Sequence, residues 1–201
     1  MAYLVLVRHG ESLWNQKDLW TGLTDIELSE KGKEEAKKAG ILLKGIHFDH
    51  VFTSPLKRAL ETYEIIKKEL NLNVLKSSDS ALNERDYGDF TGKNKWEVKK
   101  EVGDEEFFKI RRGFNHPIPN GESLKQVYER VVPYYKEKVE PELEQGKNVL
   151  IVAHGNSLRA LIKYLENISD EDISKLELAT GEIYVYSIDN NGKITSKEIR
   201  K

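Results

Sequence analysis

Two short runs of the chain set a His-Gly pair after a stretch of aliphatic residues: Leu6-Val7-Arg8-His9-Gly10-Glu11-Ser12 and Ile151-Val152-Ala153-His154-Gly155-Asn156-Ser157. A buried strand that ends in an imidazole presents it at the strand's carboxyl end, the edge at which open α/β sheets hold their ligands. Two such strands in one parallel sheet would bring His9 and His154 into a single crevice despite their separation in sequence. The glycine after each His permits a sharp turn and a close approach to a ligand. One imidazole can then act as nucleophile while the other donates to the group being transferred. Either His alone reads most simply as a core histidine satisfied by backbone. The repeated context, with Arg8 beside one copy, favours a site.

The cations indicate what is transferred. Arg8 adjoins His9, and Arg58 falls one turn into a helix that begins just after a strand end; Arg85, Lys95, Arg111 and Arg112 punctuate the middle of the chain. Guanidinium forks match phosphate and carboxylate oxygens bidentately, and helix N-termini add further donors. Singly, such residues are mostly solvated surface charges. Arg8 and Arg58 stand apart because each follows a strand's carboxyl end. The chain has no P-loop and no acidic cluster for Mg²⁺, so a ring of Arg and His donors is left to stabilise a moving phosphoryl group. Metal-free transfer through phosphohistidine is the consequence. A neutral imidazole must attack, which predicts activity that falls with acid near the ordinary histidine pKa of about 6.5, adjusted by the surrounding arginines. Protonation of the leaving group needs an acid. Glu84, in Leu82-Asn83-Glu84-Arg85-Asp86-Tyr87-Gly88, sits in a short loop among Arg and Tyr and suits that role. Glu11 is its rival, although its place directly after His-Gly suits a loop-shaping role equally well. His47 and His50 flank Asp49, but they lie at a helix-to-strand turn and lack a third ligand at zinc spacing.

The elements that must hold these side chains alternate along the chain. Residues 3–7 read as a buried strand and 29–43 as a helix with Ala36, Ala39 and Leu43 toward the core. A second strand spans 50–53, and Pro55 opens a helix to about Leu70 from a first-turn position. Residues 73–76 are extended, and 96–112 are helical with a break at Gly103. Ser123 caps a long helix to about Gln145, interrupted near Pro133. The strongest strand is 148–153, followed by helices over 157–165 and near 169–176. Strands 182–188 and 194–198 close a hairpin around Asn190, Asn191 and Gly192. The fold expected is a three-layer α/β/α sandwich with a mostly parallel central sheet.

Composition is compatible with one domain over 1–201. The chain has 201 residues, 38% hydrophobic and 33% charged, and 32 Lys and Arg against 34 Asp and Glu leave a net charge of −2. The absence of cysteine excludes disulfides and a thiol nucleophile. Such a charge creates no general field for nucleic acid. The apolar runs fall far short of the ~20 residues that span a bilayer, and no signal peptide is expected before the first strand. A cytoplasmic enzyme without nucleic-acid or membrane partners is expected.

These residues resemble the histidine phosphatase superfamily, and within it the 2,3-bisphosphoglycerate-dependent phosphoglycerate mutases. Superfamily signatures are Arg8-His9-Gly10-Glu11 with His154-Gly155, Leu28-Ser29-Glu30-Lys31-Gly32, and Thr53-Ser54-Pro55-Leu56-Lys57-Arg58-Ala59. Mutase-like features are Trp14-Asn15, Thr21-Gly22, Leu82-Asn83-Glu84-Arg85 with Tyr87-Gly88, Gly92 with Asn94-Lys95, Arg111-Arg112, and the run from Ala153 through Asn156 to Leu161. The match is in register over nearly the whole chain.

The resemblance implies His9 as the phosphorylated nucleophile, His154 as the donor to the transferring group, and Glu84 as the proton donor and acceptor. Arg8 and Arg58 would complete the phosphate pocket with Asn15. Ser12, Thr21, Gly22, Arg85, Tyr87, Lys95, Arg111, Arg112, Gly155 and Asn156 would line the rest of the substrate site. Lys95, Arg111 and Arg112 matter most for identity, because a bisphosphorylated acid needs cations for its second phosphate and carboxylate. The implied reaction interconverts 3-phosphoglycerate and 2-phosphoglycerate in glycolysis and gluconeogenesis, with 2,3-bisphosphoglycerate as catalytic primer and no metal. The connection 117–124 is short where longer mutases carry an insertion, which implies a monomer or weak homo-oligomer and a site more open to water. A phosphatase of the same superfamily is the competing reading, because water could take the phosphoryl group from the same pocket. A non-catalytic phosphoprotein-binding module would be expected to have lost one of His9, His154, Arg8 or Glu84, and all are present.

Overall fold

Strand pairing decides which residues meet, and a computed structural model, which describes residues 1–189 and 192–201, gives that pairing. Six strands form one sheet in the order β3-β2-β4-β1-β5-β6. Four are parallel: β1 (Ala2–Arg8), β2 (His50–Thr53), β3 (Leu75–Ser78) and β4 (Val149–Ala153). The last two, β5 (Ile183–Ile188) and β6 (Ile194–Arg200), pair antiparallel and attach to β1 through β5. They form the expected hairpin; Asn190 and Asn191 of its turn lie outside the described residues, and Gly192 has φ +75°.

Successive strand side chains point to opposite faces, so each central strand feeds two cores. Leu4, Leu6, Phe52 and Ile151 pack on one face against α6 (Leu124–Tyr134) and α8 (Gly155–Leu165). Val5, Val7, Val51 and Leu150 pack on the other against α2 (Glu30–Leu42) and α3 (Lys57–Leu70). Both faces being covered explains why β4 is an unbroken apolar run. The fold is the expected three-layer sandwich. A third cluster of Trp20, Val98, Phe107, Ile110 and Ile118 holds α4 (Lys95–Val102) and α5 (Asp104–Arg112) near the carboxyl edge of the parallel strands. The short α1 (Leu13–Gln16) follows the first His-Gly turn, and α7 (Glu140–Glu144) precedes β4.

Several boundaries differ from the sequence reading. Pro55 does not occupy the first turn of α3; it precedes Leu56, which is the N-cap, and the helix opens at Lys57. Strand β3 lies two residues later than expected, because its register is set by pairing with β2, from His50 opposite Leu75 to Thr53 opposite Ser78. Helix α8 begins at Gly155 with His154 as N-cap. The segment near 169–176 forms only a 3₁₀ turn, Asp172–Lys175. The long helix from Ser123 is interrupted as expected: Pro133 lacks the N–H the ladder needs, and a π turn over Tyr135–Val139 follows before α7. Gly103, at φ +83°, separates α4 from α5. No helix among the described residues is long and apolar enough to cross a membrane.

Candidate active site

Strands β1 and β4 are neighbours in register, with Arg8 opposite Ala153, and the His9 N–H donates to the Ala153 carbonyl at 3.0 Å. That pairing sets the imidazoles of His9 and His154 side by side, with ring centroids 4.9 Å apart at 60°. Both are buried. Nδ1 of His9 lies 2.6 Å from the Gly10 carbonyl, which only accepts, so Nδ1 carries the proton and the Nε2 lone pair is left for attack. Burial lowers the His9 pKa well below the ordinary value, and the charges of Arg58 and Arg8 lower it further. Burial, Arg58 and His9 act on His154 in the same direction. Neither ring nitrogen of His154 has a hydrogen-bond partner among the described residues.

The two glycines of the His-Gly pairs serve different ends. A Cβ on Gly10 would lie 2.2 Å from the Gly32 carbonyl oxygen, and one on Gly32 would lie 2.0 Å from that of Glu11. Gly10 is thus required for contact with α2 and not for approach to a ligand, which corrects the sequence reading at this position. At Gly155 the nearest atoms to a Cβ would be Arg8 Nε at 3.5 Å and Glu84 Oε2 at 3.7 Å, on the floor of the cleft. Glu11 belongs to the same turn. Its carboxylate accepts from Ser29 Oγ at 2.9 Å and Lys31 Nζ at 3.0 Å, so it shapes the loop and is not the acid.

Around His9 opens a cleft of about 660 Å³, counted out to its mouth, lined by Arg8, Asn15, Thr21, Gly22, Arg58 and Glu84 near the imidazole. Tyr87, Lys95, Arg111, Arg112, Gly155 and Asn156 complete the expected residues that line it. Arg58 is buried at the start of α3 and donates to the carbonyls of Gly22 at 2.8 Å and Thr24 at 3.0 Å. Desolvation pushes its pKa down to about 10. Lys95, at the first position of α4, is driven to about 8 by desolvation and then by Arg111. Cations this perturbed are short of negative charge, and a bound polyanion would supply it.

Glu84 is one of two carboxylates that line the cleft. Its Oε1 accepts from the N–H groups of Arg85 at 2.8 Å and Asn156 at 3.0 Å. Its backbone carbonyl accepts from Arg130 Nη2 at 3.0 Å; Arg130 also reaches the Asn83 carbonyl and both oxygens of Glu122. The Asp86 N–H donates to Glu122 Oε2 at 2.9 Å, and the Asp89 N–H to the Pro119 carbonyl at 3.0 Å. The short connection 117–124 therefore braces the Glu84 loop, and none of its residues forms the cleft wall.

Two expected lining residues do not line the cleft. Ser12 is the N-cap of α1, and its Oγ accepts from the Asn15 N–H at 3.1 Å, so it positions Asn15. Arg85 is fully buried, stacks 4.5 Å over the Tyr87 ring and donates to the Ile110 carbonyl, so it supports the wall from behind. Sequence reasoning missed Trp20, Arg159, Glu177 and Leu178, which do line it. Arg159 follows Asn156 by three residues on α8, and its Nη1 donates to Asn156 Oδ1 at 2.9 Å, leaving Asn156 Nδ2 to donate to the Tyr87 hydroxyl at 2.9 Å. That helical spacing was a usable signal for Arg159. Glu177 and Leu178 carried none, because they reach the cleft only through the β1–β5 pairing. Among the described residues no group of three His, Cys, Asp or Glu side chains could hold a metal ion. His47 is exposed beside Asp49, while His50 is buried against Ser77 Oγ at 2.9 Å.

Paired imidazoles ringed by guanidinium groups, at the carboxyl edge of a doubly covered sheet, define an α/β enzyme of phosphoryl transfer. The chain belongs to the histidine phosphatase superfamily, branch 1, whose pattern matches residues 4–198. It is 50% identical over 196 residues to the 2,3-bisphosphoglycerate-dependent phosphoglycerate mutase of Cytophaga hutchinsonii, covering 98% of this chain and 92% of that one. It is 51% identical over 201 residues to a phosphoglycerate mutase of Schizosaccharomyces pombe, covering 98% and 94%. Among solved structures, a mycobacterial glucosyl-3-phosphoglycerate phosphatase in complex with VO3 superposes with a TM-score of 0.82 at 26% identity, covering 100% of this chain and 98% of that one.

Proposed function

We propose that this chain interconverts 3-phosphoglycerate and 2-phosphoglycerate through a phosphohistidine at His9, primed by 2,3-bisphosphoglycerate. The observation that carries the reading is the division of the cleft. One end holds a neutral His9 with Arg8 and Arg58, and with His154 buried beside the His9 ring; the other holds the further cations Lys95, Arg111 and Arg112. A hydrolase of simple phosphate esters needs only the first end, whereas a bisphosphorylated three-carbon acid needs both. The relatives near half identity carry mutase names, which favours the same conclusion. The donor set fits 2,3-bisphosphoglycerate: buried donors at Arg8 Nε and Arg159 Nε have no hydrogen-bond partner among the described residues, and the cations outnumber the two lining carboxylates. When bound, it supplies the phosphoryl group that charges His9.

Nε2 of His9 attacks phosphorus, forming the N–P bond as the P–O bond to the leaving oxygen breaks, and Glu84 delivers a proton to that oxygen. In the reverse transfer Glu84 takes the proton from the substrate hydroxyl as that oxygen attacks phospho-His9. His154 and Arg8 donate to the equatorial oxygens, where charge spreads in the loose transition state. Arg111, Arg112 and Lys95 hold the carboxylate and second phosphate so that a hydroxyl, and not water, meets the phosphoryl group. The reaction is one of glycolysis and gluconeogenesis, placed here in the cytoplasm, with the chain acting on free small molecules as a monomer or weak homo-oligomer and without metal.

The test is conversion of 3-phosphoglycerate to 2-phosphoglycerate in EDTA, with and without catalytic 2,3-bisphosphoglycerate, while free phosphate is counted in the same reaction. Primer-stimulated isomerisation with little phosphate released is expected. Phosphate release without isomerisation would make the chain a phosphatase.

A further inference from the structure

Residues 176–178 run from the last 3₁₀ turn toward β5 and cross the cationic end of the cleft. The Leu176 carbonyl accepts from Arg112 Nη1 at 3.3 Å, and the Leu178 carbonyl accepts from Arg8 Nη1. Between them the Glu177 carboxylate accepts from Arg112 Nη2. The two lining carboxylates are held very differently. Glu84 is pinned to the floor by two backbone N–H groups, whereas Glu177 reaches in from a loop with its side chain 68% exposed, against 16% for its partner Arg112. Partial burial would raise the Glu177 pKa, but the Arg112 hydrogen bond and the charges of Arg112, Arg111 and Arg8 outweigh it and hold the carboxyl below its usual range. It is ionised at neutral pH and sits on a guanidinium that faces the cleft.

We propose that Glu177 is a specificity-determining residue: its carboxylate stands on Arg112 where a ligand's own carboxylate or second phosphate would sit, so a ligand reaching that end must displace it. The inference rests on the two-ended reading of the cleft given above. A phosphate-sized anion held by His9, Arg8 and Arg58 has no second group to place on Arg112 and so does not displace Glu177. A phosphorylated acid does, and gains Arg112 only in exchange for the internal pair. Because the displaced carboxylate can turn to solvent, the exchange is a modest penalty on affinity. It falls hardest on ligands whose second anionic group binds Arg112 weakly. Neutral tails would not open the pair, so Glu177 selects for acidic ones.

Calorimetric binding of two probes, 3-phosphoglycerate and orthovanadate, to the full chain tests this. Glu177→Gln is expected to tighten 3-phosphoglycerate by about two- to fivefold, most at low ionic strength, and to leave orthovanadate unchanged. Glu177→Asp should bind 3-phosphoglycerate within twofold or so of the parent, since a shorter carboxylate still reaches for Arg112. If Glu177→Gln leaves 3-phosphoglycerate unchanged, or shifts both probes alike, the proposal is overturned, because a merely structural role would not separate them. Arg112→Ala reports on the underlying reading. It should weaken 3-phosphoglycerate and spare orthovanadate, and if it spares both, the two-ended cleft is wrong and the role of Glu177 falls with it.

Discussion

At the scale of single residues, the nucleophile is made by its surroundings. An aqueous imidazole is half protonated near pH 6.5 and then cannot attack. In this fold burial, followed by the charges of Arg58 and Arg8, lowers the His9 pKa, outweighing the Gly10 carbonyl that favours the charged ring. The sequence leads to an expected loss of activity with acid near 6.5, adjusted by the surrounding arginines; burial adds to those arginines and takes the adjustment downward, so His9 stays neutral through that pH and protonates only well below it. Heteronuclear NMR of the histidine rings in the free protein should show His9 as the Nδ1–H tautomer at pH 6. A His9 resonance with its midpoint near 6.5 would remove burial as the source of the nucleophile. Resonances of His154 should likewise remain those of a neutral ring.

At the scale of elements, the site depends on how closely the His-Gly turn packs on α2. Ser29 caps that helix by accepting from the Gly32 N–H at 3.1 Å, and its own N–H donates to the Glu11 carbonyl at 2.9 Å. Glu35, one turn further along the same helix, accepts from the Glu11 N–H at 2.8 Å. The backbone of 10–11 therefore lies against the first turn of α2 with no room for a Cβ at Gly10 or Gly32. Helix propensity alone would favour Ala over Gly at position 32 by about 1 kcal/mol. The clash with the Glu11 carbonyl reverses the sign. Gly32→Ala is expected to lower stability by about 1–3 kcal/mol in urea titration and to reduce kcat by displacing His9. A variant as stable and as active as the parent would show that the turn can move away from α2 at no cost.

At the scale of the whole molecule, a chain of net charge −2 concentrates positive charge in one cleft. Desolvation and mutual repulsion leave Lys95 with a pKa of about 8, Arg159 about 9 and Arg58 about 10. A polyanion reverses that depression, so binding must be coupled to protons. Near pH 8 Lys95 is about half neutral in the free protein, and a ligand that raises its pKa makes it take up a proton. At pH 6.5 Lys95 is already charged and contributes no uptake. Titrations of 3-phosphoglycerate in buffers of different ionisation heat should therefore show net proton uptake at pH 8. Release or no change at pH 8 would mean that Lys95 is not desolvated in the cleft. The same coupling predicts a higher Tm with ligand than without.

Much of this was legible in the residues because it is local. The aliphatic runs before His9 and His154, the cap at Ser123, the break at Gly103 and the interruption at Pro133 are written in side-chain volume, hydrogen-bonding groups and backbone freedom within a few positions. These features determined the strands, the principal helices and the candidacy of the two histidines and Glu84. The tertiary structure alone decided what depends on adjacency across the sheet. The β1–β4 pairing made the two imidazoles neighbours, and β2 set the register of β3. Packing turned Ser12 and Arg85 from candidate ligand contacts into supports, and assigned Gly10 to helix contact. The crossing of 176–178 put Glu177 over Arg112, a contact between residues 65 positions apart. Local chemistry fixes which groups a chain carries, whereas pKa values and partners follow from burial and long-range pairing, which no short stretch of sequence contains.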